Sequence, residues 1–455
     1  MQNKLEHITA DLANFAWGYP LLFLLVGGGL YFLISSRFAP FRYLGHAIEI
    51  VRGKYDDASE AGQLSHYEAL ATAIAGTVGM GNVAGVAVAI SMGGPGAIFW
   101  MWVSALVGVA TKFFTCSLAV MYRGKDSNGE IQGGPMYWMT VGMSKGWRPV
   151  AVFFAVMAMI AVLPIFNANQ LTQVICEVCL APQGIPTGTT TKLLVGAMLA
   201  TIVGVVVVGG IKRIGEVTGK LVPIMVIAYV AAVLYIIVSN ASQIIPSFKL
   251  IFIDAFTASS VMGGAVGALI ITGIRRAAFS NEAGMGTAPM AHGAAKTNEP
   301  IREGLVAMLG PIIDTIIVCT MTALALIITG VWQNNEAQGI TLTAQAFEQS
   351  IPFGNYVLMV CVFFFSLSTM FAFPYYGAKC MNFLFGAHRA HYYNYIVLVL
   401  IVVGSAMAMS TVVNIIDIAY ALMAFPTMIS ALILSPKVRA AAKDYFRRMK
   451  ESNFR

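Results

Sequence analysis

Eleven stretches of the chain are long and apolar enough to cross a bilayer: 15–36, 66–92, 95–121, 149–178, 191–211, 217–239, 261–294, 304–332, 352–385, 392–411 and 413–435. Each approaches or exceeds the roughly 20 mostly apolar residues that a membrane helix needs. The connections between them are short and polar, so the pattern predicts one all-α integral membrane domain over 1–455 and no soluble module. The polar start, Met1 to Asn14, has no basic leader, and the apolar stretch after it is too long for a signal core, so the first helix is expected to be retained. Phe41–Arg52 carries apolar residues at helical spacing and predicts an interfacial helix on the inner face.

Composition supports this class. With 28 Lys+Arg and 21 Asp+Glu, only 11% of residues are charged and 58% are hydrophobic, too few charges to cover a water-facing surface. That excludes a soluble enzyme, a disordered chain and a disulfide scaffold. The net charge of +7 resolves into a topology signal instead of a nucleic-acid footprint. With the N-terminus outside, the inside loops collect Arg37, Arg42, Arg52 and Lys54; Arg123, Lys125, Lys145 and Arg148; Lys212, Arg213 and Lys220; Lys296 and Arg302; and Arg389. The outside segments hold only Lys4, Lys192 and Lys249. The tail from Lys437 to Arg455 then lies in the cytoplasm, as a membrane-surface helix.

Two spans are interrupted. The second contains Ala75-Gly76-Thr77-Val78-Gly79-Met80-Gly81-Asn82, where glycines weaken the helical ladder. Unwound backbone survives at membrane depth only where it is buried or lines a cavity. Its carbonyls can then coordinate a cation, and the next half-helix can hold a carboxylate at its N-terminus. Taken alone, the run also fits close packing, since Gly81 and Gly85 form a G-x-x-x-G face. The seventh span repeats the interruption as Phe279-Ser280-Asn281-Glu282-Ala283-Gly284-Met285-Gly286-Thr287. An odd number of spans separates the two starts, so the helices cross in opposite directions. Paired breaks in two inverted halves point to a transporter binding site. This reading places the extra helix at 15–36, the first repeat at 66–239, the inverted second repeat at 261–435 and the tail at 436–455.

The run Thr77 to Ala87, then Gly93-Gly94-Pro95-Gly96-Ala97, Gly133-Gly134-Pro135-Met136-Tyr137, and Phe279 to Gly286 followed by Ala294-Ala295-Lys296-Thr297, resembles the alanine or glycine:cation symporter family. The resemblance covers essentially the whole chain. It implies a leucine-transporter-type fold, five helices plus five inverted helices behind one extra N-terminal helix. It implies a plasma-membrane (inner-membrane) symporter that imports a small neutral amino acid, alanine or glycine, with sodium. Glutamine, driven by sodium or protons, is the alternative. Sodium is the coupling ion, and no other cofactor or transition metal is implied. Carried over by position, Thr77, Gly79, Met80, Gly81, Gln170, Phe279 and Phe373 would contact substrate. Ala75, Thr77, Val78, Asn82, Ser368 and Thr369 would hold sodium. Many members have a hydroxyl residue where this chain has Met80, and some have Trp where it has Phe373, so substrate size turns on these two positions.

Other polar groups have plainer readings. The amides of Asn167, Asn169 and Gln170 must face a partner or a cavity, as interhelical glue or as ligand contacts. Glu282, Asp314 and Asp417 are intramembrane carboxylates, functional by default. For Glu282 an ion pair with Arg275 or Arg276 is the expectation, whereas Asp314 stays open as an ion or proton site. Ser280 and Asn281 are candidate caps of the second half-helix. His292 reads as a packed histidine, and Cys176 and Cys179 as free thiols. A channel would need a continuous polar path, and an embedded enzyme a nucleophile or metal motif. Neither H-E-x-x-H nor G-x-S-x-G occurs.

Overall fold

A computed structural model describes residues 2–57, 59–257, 265–333, 339–407 and 409–451. Among them, eight helices are long and apolar enough to cross a membrane, and the bent pair His66–Thr77 and Gly81–Gly93 makes a ninth. The remaining two expected spans are also helical. The seventh is Ala265–Asn281 followed by Thr287–His292, and the tenth is Ala387–Gly404. The seventh is split and carries Arg275, Arg276 and Glu282, and the tenth opens on His388, Arg389 and His391, so neither is a clean apolar run. The expected start of the seventh span at 261–264, position 408 in the tenth and the end of the tail at 452–455 lie outside the described residues.

Boundaries move where packing outweighs hydropathy. Span one is helical from Gln2, well before residue 15. Its polar start is held against the last span, where the Asn414 amide donates to Thr9 Oγ1 at 3.3 Å, and just beyond it the Trp17 indole donates to the Asp417 carbonyl at 3.0 Å. Span two starts on a capping box, the Ser65 hydroxyl accepting from the Glu68 amide while the Glu68 carboxylate accepts from the Ser65 amide. Span four, expected as one helix over 149–178, is interrupted into Arg148–Ala161 and Ile165–Ile175, because Pro164 cannot continue the first piece. Span six begins at Gly210 and keeps Pro223 inside it. Short helices unpredicted by the apolar pattern occupy Pro135–Val141, Ile244–Asp254 and Ile340–Ser350.

The interfacial segment forms Leu44–Val51, which buries Ala47 and Ile50. The tail is not a separate surface helix. It continues the last span within the single helix Met409–Lys450. It lies on the interfacial segment, with Tyr43 stacked on Phe446 at 3.8 Å between centroids and His46 Nε2 2.8 Å from the Tyr445 hydroxyl.

The two interrupted helices are tied together at their basic-loop ends. Leu64, ahead of span two, and Ala295, after span seven, form a parallel backbone bridge. The Arg123 guanidinium donates to the carbonyls of Gly293, Ala295, Thr297 and Ala61 around it. Beneath, Glu303 accepts from both sides: its Oε1 lies 2.5 Å from His292 Nδ1, and its other oxygen bonds His66. His292 is therefore packed, as expected, in a shared buried cluster.

Candidate substrate and ion site

The two halves of span two bend by 53° at the Val78–Met80 break. Val78 is extended there (φ −75°, ψ 102°). Gly79 is required by proximity, since a Cβ would sit 2.8 Å from Thr369 Oγ1. The span seven break uses backbone that L side chains rarely adopt: φ is 53° at Glu282, 90° at Gly284 and 102° at Gly286. A left-handed Glu at a break between two helical segments is strained backbone, which persists only where surrounding structure holds it.

Both breaks open on one small cavity of about 40 Å³. Span two contributes Gly76, Thr77, Gly79, Met80 and Gly81. Span seven gives Phe279 and Glu282, and span nine gives Thr369 and Phe373. Seven of the residues expected at the site thus share one lining. Gln170 does not join them. It lies one turn beyond the cavity, and its amide donates to Gln173 Oε1 at 3.3 Å. Span four lines the cavity instead through Leu163 at its break and through Phe166 and Asn167 just after it. Asn169 is interhelical glue, donating to the carbonyls of Gly404 at 2.8 Å and Met407 at 2.9 Å. Tyr420 and Ile416 of the last span close the wall. Phe279 packs edge-on against Phe166 and Tyr420, with centroids 6.3 and 5.7 Å away. Sequence reasoning missed Phe166, Ile416 and Tyr420, which carry no signal in an apolar helix. Pro164 was the available clue to the third break.

Beside the cavity, the Ala75 carbonyl accepts from Ser368 Oγ at 3.2 Å and from Thr369 Oγ1 at 3.1 Å. This brings together three of the oxygens expected at an ion site. Asn82 sits behind the break, fully buried. Its side-chain oxygen accepts from the Gly79 amide at 2.8 Å, and its amide donates to Asp314 Oδ1 at 2.7 Å. Asp314 also accepts from the Ser280 and Thr315 hydroxyls, each at 2.7 Å. One buried carboxylate therefore joins the two breaks to span eight.

Several expectations are corrected here. Glu282 pairs with neither Arg275 nor Arg276. Its carboxylate accepts from the Thr287 hydroxyl and from the Tyr420 hydroxyl, the latter at 2.9 Å. Arg275 pairs instead with Asp417 at 2.5 Å. The expected pairing fails because the helix stops at Asn281, one residue before Glu282, so Glu282 no longer follows the helical facing of Arg275 or Arg276. Ser280 and Asn281 do not cap the second half-helix, which starts at Thr287 after Gly286 with no side-chain cap. Ser280 is spent on Asp314, and Asn281 donates to Thr315 Oγ1 at 3.0 Å. Cys176 and Cys179 are free thiols. Among the described residues, no three His, Cys, Asp or Glu side chains form a metal-binding group. Lys112, buried in span three against Gly310, was not singled out from the sequence.

The chain matches the family model "Sodium:alanine symporter family" over residues 2–454. It is 38% identical to the sodium/alanine symporter AgcS of Methanococcus maripaludis over 95% of each chain. It is 33% identical to a probable sodium/glutamine symporter, GlnT, of Bacillus subtilis, over 99% of this chain and 92% of the relative. The crystal structure of MhsT in complex with L-phenylalanine superposes with a TM-score of 0.60 at 14% identity, over 83% of this chain and 90% of that one. This likeness shows the leucine-transporter-type fold. The protein is a multi-pass transporter and not an enzyme. Matching the family model over nearly its whole length, and 38% identical to a sodium/alanine symporter, the chain belongs to the sodium:alanine symporter family.

Proposed function

We propose that the protein is a sodium-coupled symporter of a small neutral amino acid, alanine or glycine, bound in the cavity between the two broken helices. One observation carries this reading: both breaks face a single cavity walled by Met80, Phe279 and Phe373. Backbone at the span two break would take the substrate carboxylate, and the bulky side chains would judge substrate volume. A cavity of about 40 Å³ holds about three waters at 10–15 Å³ each, which favours the smallest amino acids. Sodium would sit where the Ala75 and Val78 carbonyls meet Ser368 and Thr369, whose hydroxyl oxygens can turn from donating to coordinating. Asn82 and Thr77 would serve an ion next to the substrate carboxylate. The chain's two halves, 66–239 and 261–435, would rock about this fixed site. With the basic loops on the inner face, the N-terminus would lie outside and the C-terminus in the cytoplasm.

Glutamine is the second reading. It is favoured by the GlnT relative and by the flexibility of Met80, which can swing aside for a longer ligand. Binding of alanine, glycine and glutamine to the purified protein, each with and without sodium, tests the assignment. Tight binding of alanine or glycine only with sodium supports it. Sodium-dependent binding of glutamine alone replaces the substrate, and binding indifferent to sodium removes the coupling ion.

A further inference from the structure

Away from the transport cavity, the end of span one, the turn 39–43 after it, span three and the tail line a second cleft of about 410 Å³. Arg37 and Arg42 line one side, Arg439 and Lys443 the other, and no carboxylate lines it. Among the described residues, none of the four cations makes an ion pair or a side-chain hydrogen bond. The nearby acids are engaged elsewhere: Asp444 pairs with Arg447 at 2.7 Å and Arg448 at 3.0 Å, and Glu49 with Lys54 at 3.0 Å. The four cations are exposed, so water screens their mutual repulsion, and together they make the cleft attractive to an anion.

The other half of the cleft is apolar. Phe113 and Phe114 lie beneath it, both fully buried, with Phe114 stacked on the buried Phe32 at 4.5 Å between centroids. On the flank of span one, Ile34 is 58% and Phe38 49% exposed. Arg37 and Phe38 both adopt left-handed backbone, with φ of 55° and 58°, in consecutive non-glycine residues. Such strain tends to mark ligand sites, and here it falls at the junction of the charged and apolar halves. A cationic cleft opening beside the exposed apolar flank of span one matches a lipid better than a free ion.

We propose that this cleft binds the phosphate headgroup of an anionic phospholipid, with the acyl chains lying along span one. Basic pockets between membrane helices recognise such headgroups by charge. Because its walls come from both ends of the chain, the bound lipid would also fasten the tail to span one.

Native mass spectrometry of the full-length protein in detergent tests this, with phosphatidylglycerol titrated against phosphatidylcholine. The wild type should retain phosphatidylglycerol preferentially. Arg37→Gln combined with Arg439→Gln should weaken that retention roughly 30-fold, about fivefold per cation. Lys212→Gln combined with Arg213→Gln removes the same charge from another basic loop and should leave retention unchanged. Gel-filtration profiles and retained uptake verify that each variant is folded. Equal retention of both lipids, or wild-type retention by the Arg37/Arg439 variant, would overturn the proposal. Equimolar inorganic phosphate displacing the lipid would also overturn it, by assigning the cleft to a free anion.

Discussion

Asn82 shows how much one side chain in the break has to do. Its oxygen fixes the Gly79 amide, and its nitrogen holds Asp314. Asn82→Ala leaves both partners short of a hydrogen bond in a buried site, at about 1–3 kcal/mol. Substrate affinity and sodium affinity should fall together, since coupling between two ligands is reciprocal. Isothermal titration of each ligand in the presence of the other checks this, and an unchanged sodium dependence of substrate binding would contradict it. Thr369→Val keeps the shape against Gly79 and removes one oxygen near Ala75. Sodium-driven uptake should drop at least tenfold with little change in thermal stability; normal accumulation would return Thr369 to helix packing. Met80→Thr should widen the cavity and raise competition by glutamine over alanine, leaving sodium dependence intact. A methylene is worth about 1–3 kcal/mol in such pockets, so the selectivity change should be tenfold or more. The glycines and polar residues of the breaks were legible in the sequence because they are anomalous inside an apolar helix. Phe166 and Tyr420 were not, since an aromatic facing a cavity and one facing lipid look alike in a single sequence. Gln170 came from the resemblance alone; in the structure it sits one turn, about 5.4 Å, past the span four residues that line the cavity.

Elements were legible in number and less so in their ends. Apolar length marked each span, but the break before Ile165 and the short helices between spans depend on one proline and on tertiary contacts. The polar helix from Gln2 forms against the last span, a partner that hydropathy windows do not see. The same dependence on partners governs the loops next to the two broken helices. Arg123 holds four carbonyls of those loops in a planar fork, a geometry that lysine cannot reproduce. Arg123→Lys should therefore destabilise the protein by about 2 kcal/mol or more, since hydrogen bonds to charged groups contribute about 1.5–3 kcal/mol each. A thermal melt of the detergent-solubilised variant reads this directly. An unshifted melting temperature would mean that the Leu64–Ala295 bridge holds the loops without the guanidinium.

For the whole molecule, symport requires that the two halves expose one site to each side in turn, and that sodium bias the substrate-bound form. The fold supplies the means, because each half contributes one broken helix to the cavity and Asp314 joins the two breaks behind it. A carboxylate substrate buried there is costly without a cation, and a sodium ion beside it offsets that cost. The most direct measurement is uptake of labelled alanine into proteoliposomes holding the purified protein. An inward sodium gradient should drive alanine above its external concentration, and collapsing that gradient should release it. Accumulation that follows a pH gradient alone, or equilibration unaffected by sodium, would contradict sodium-coupled symport at this site.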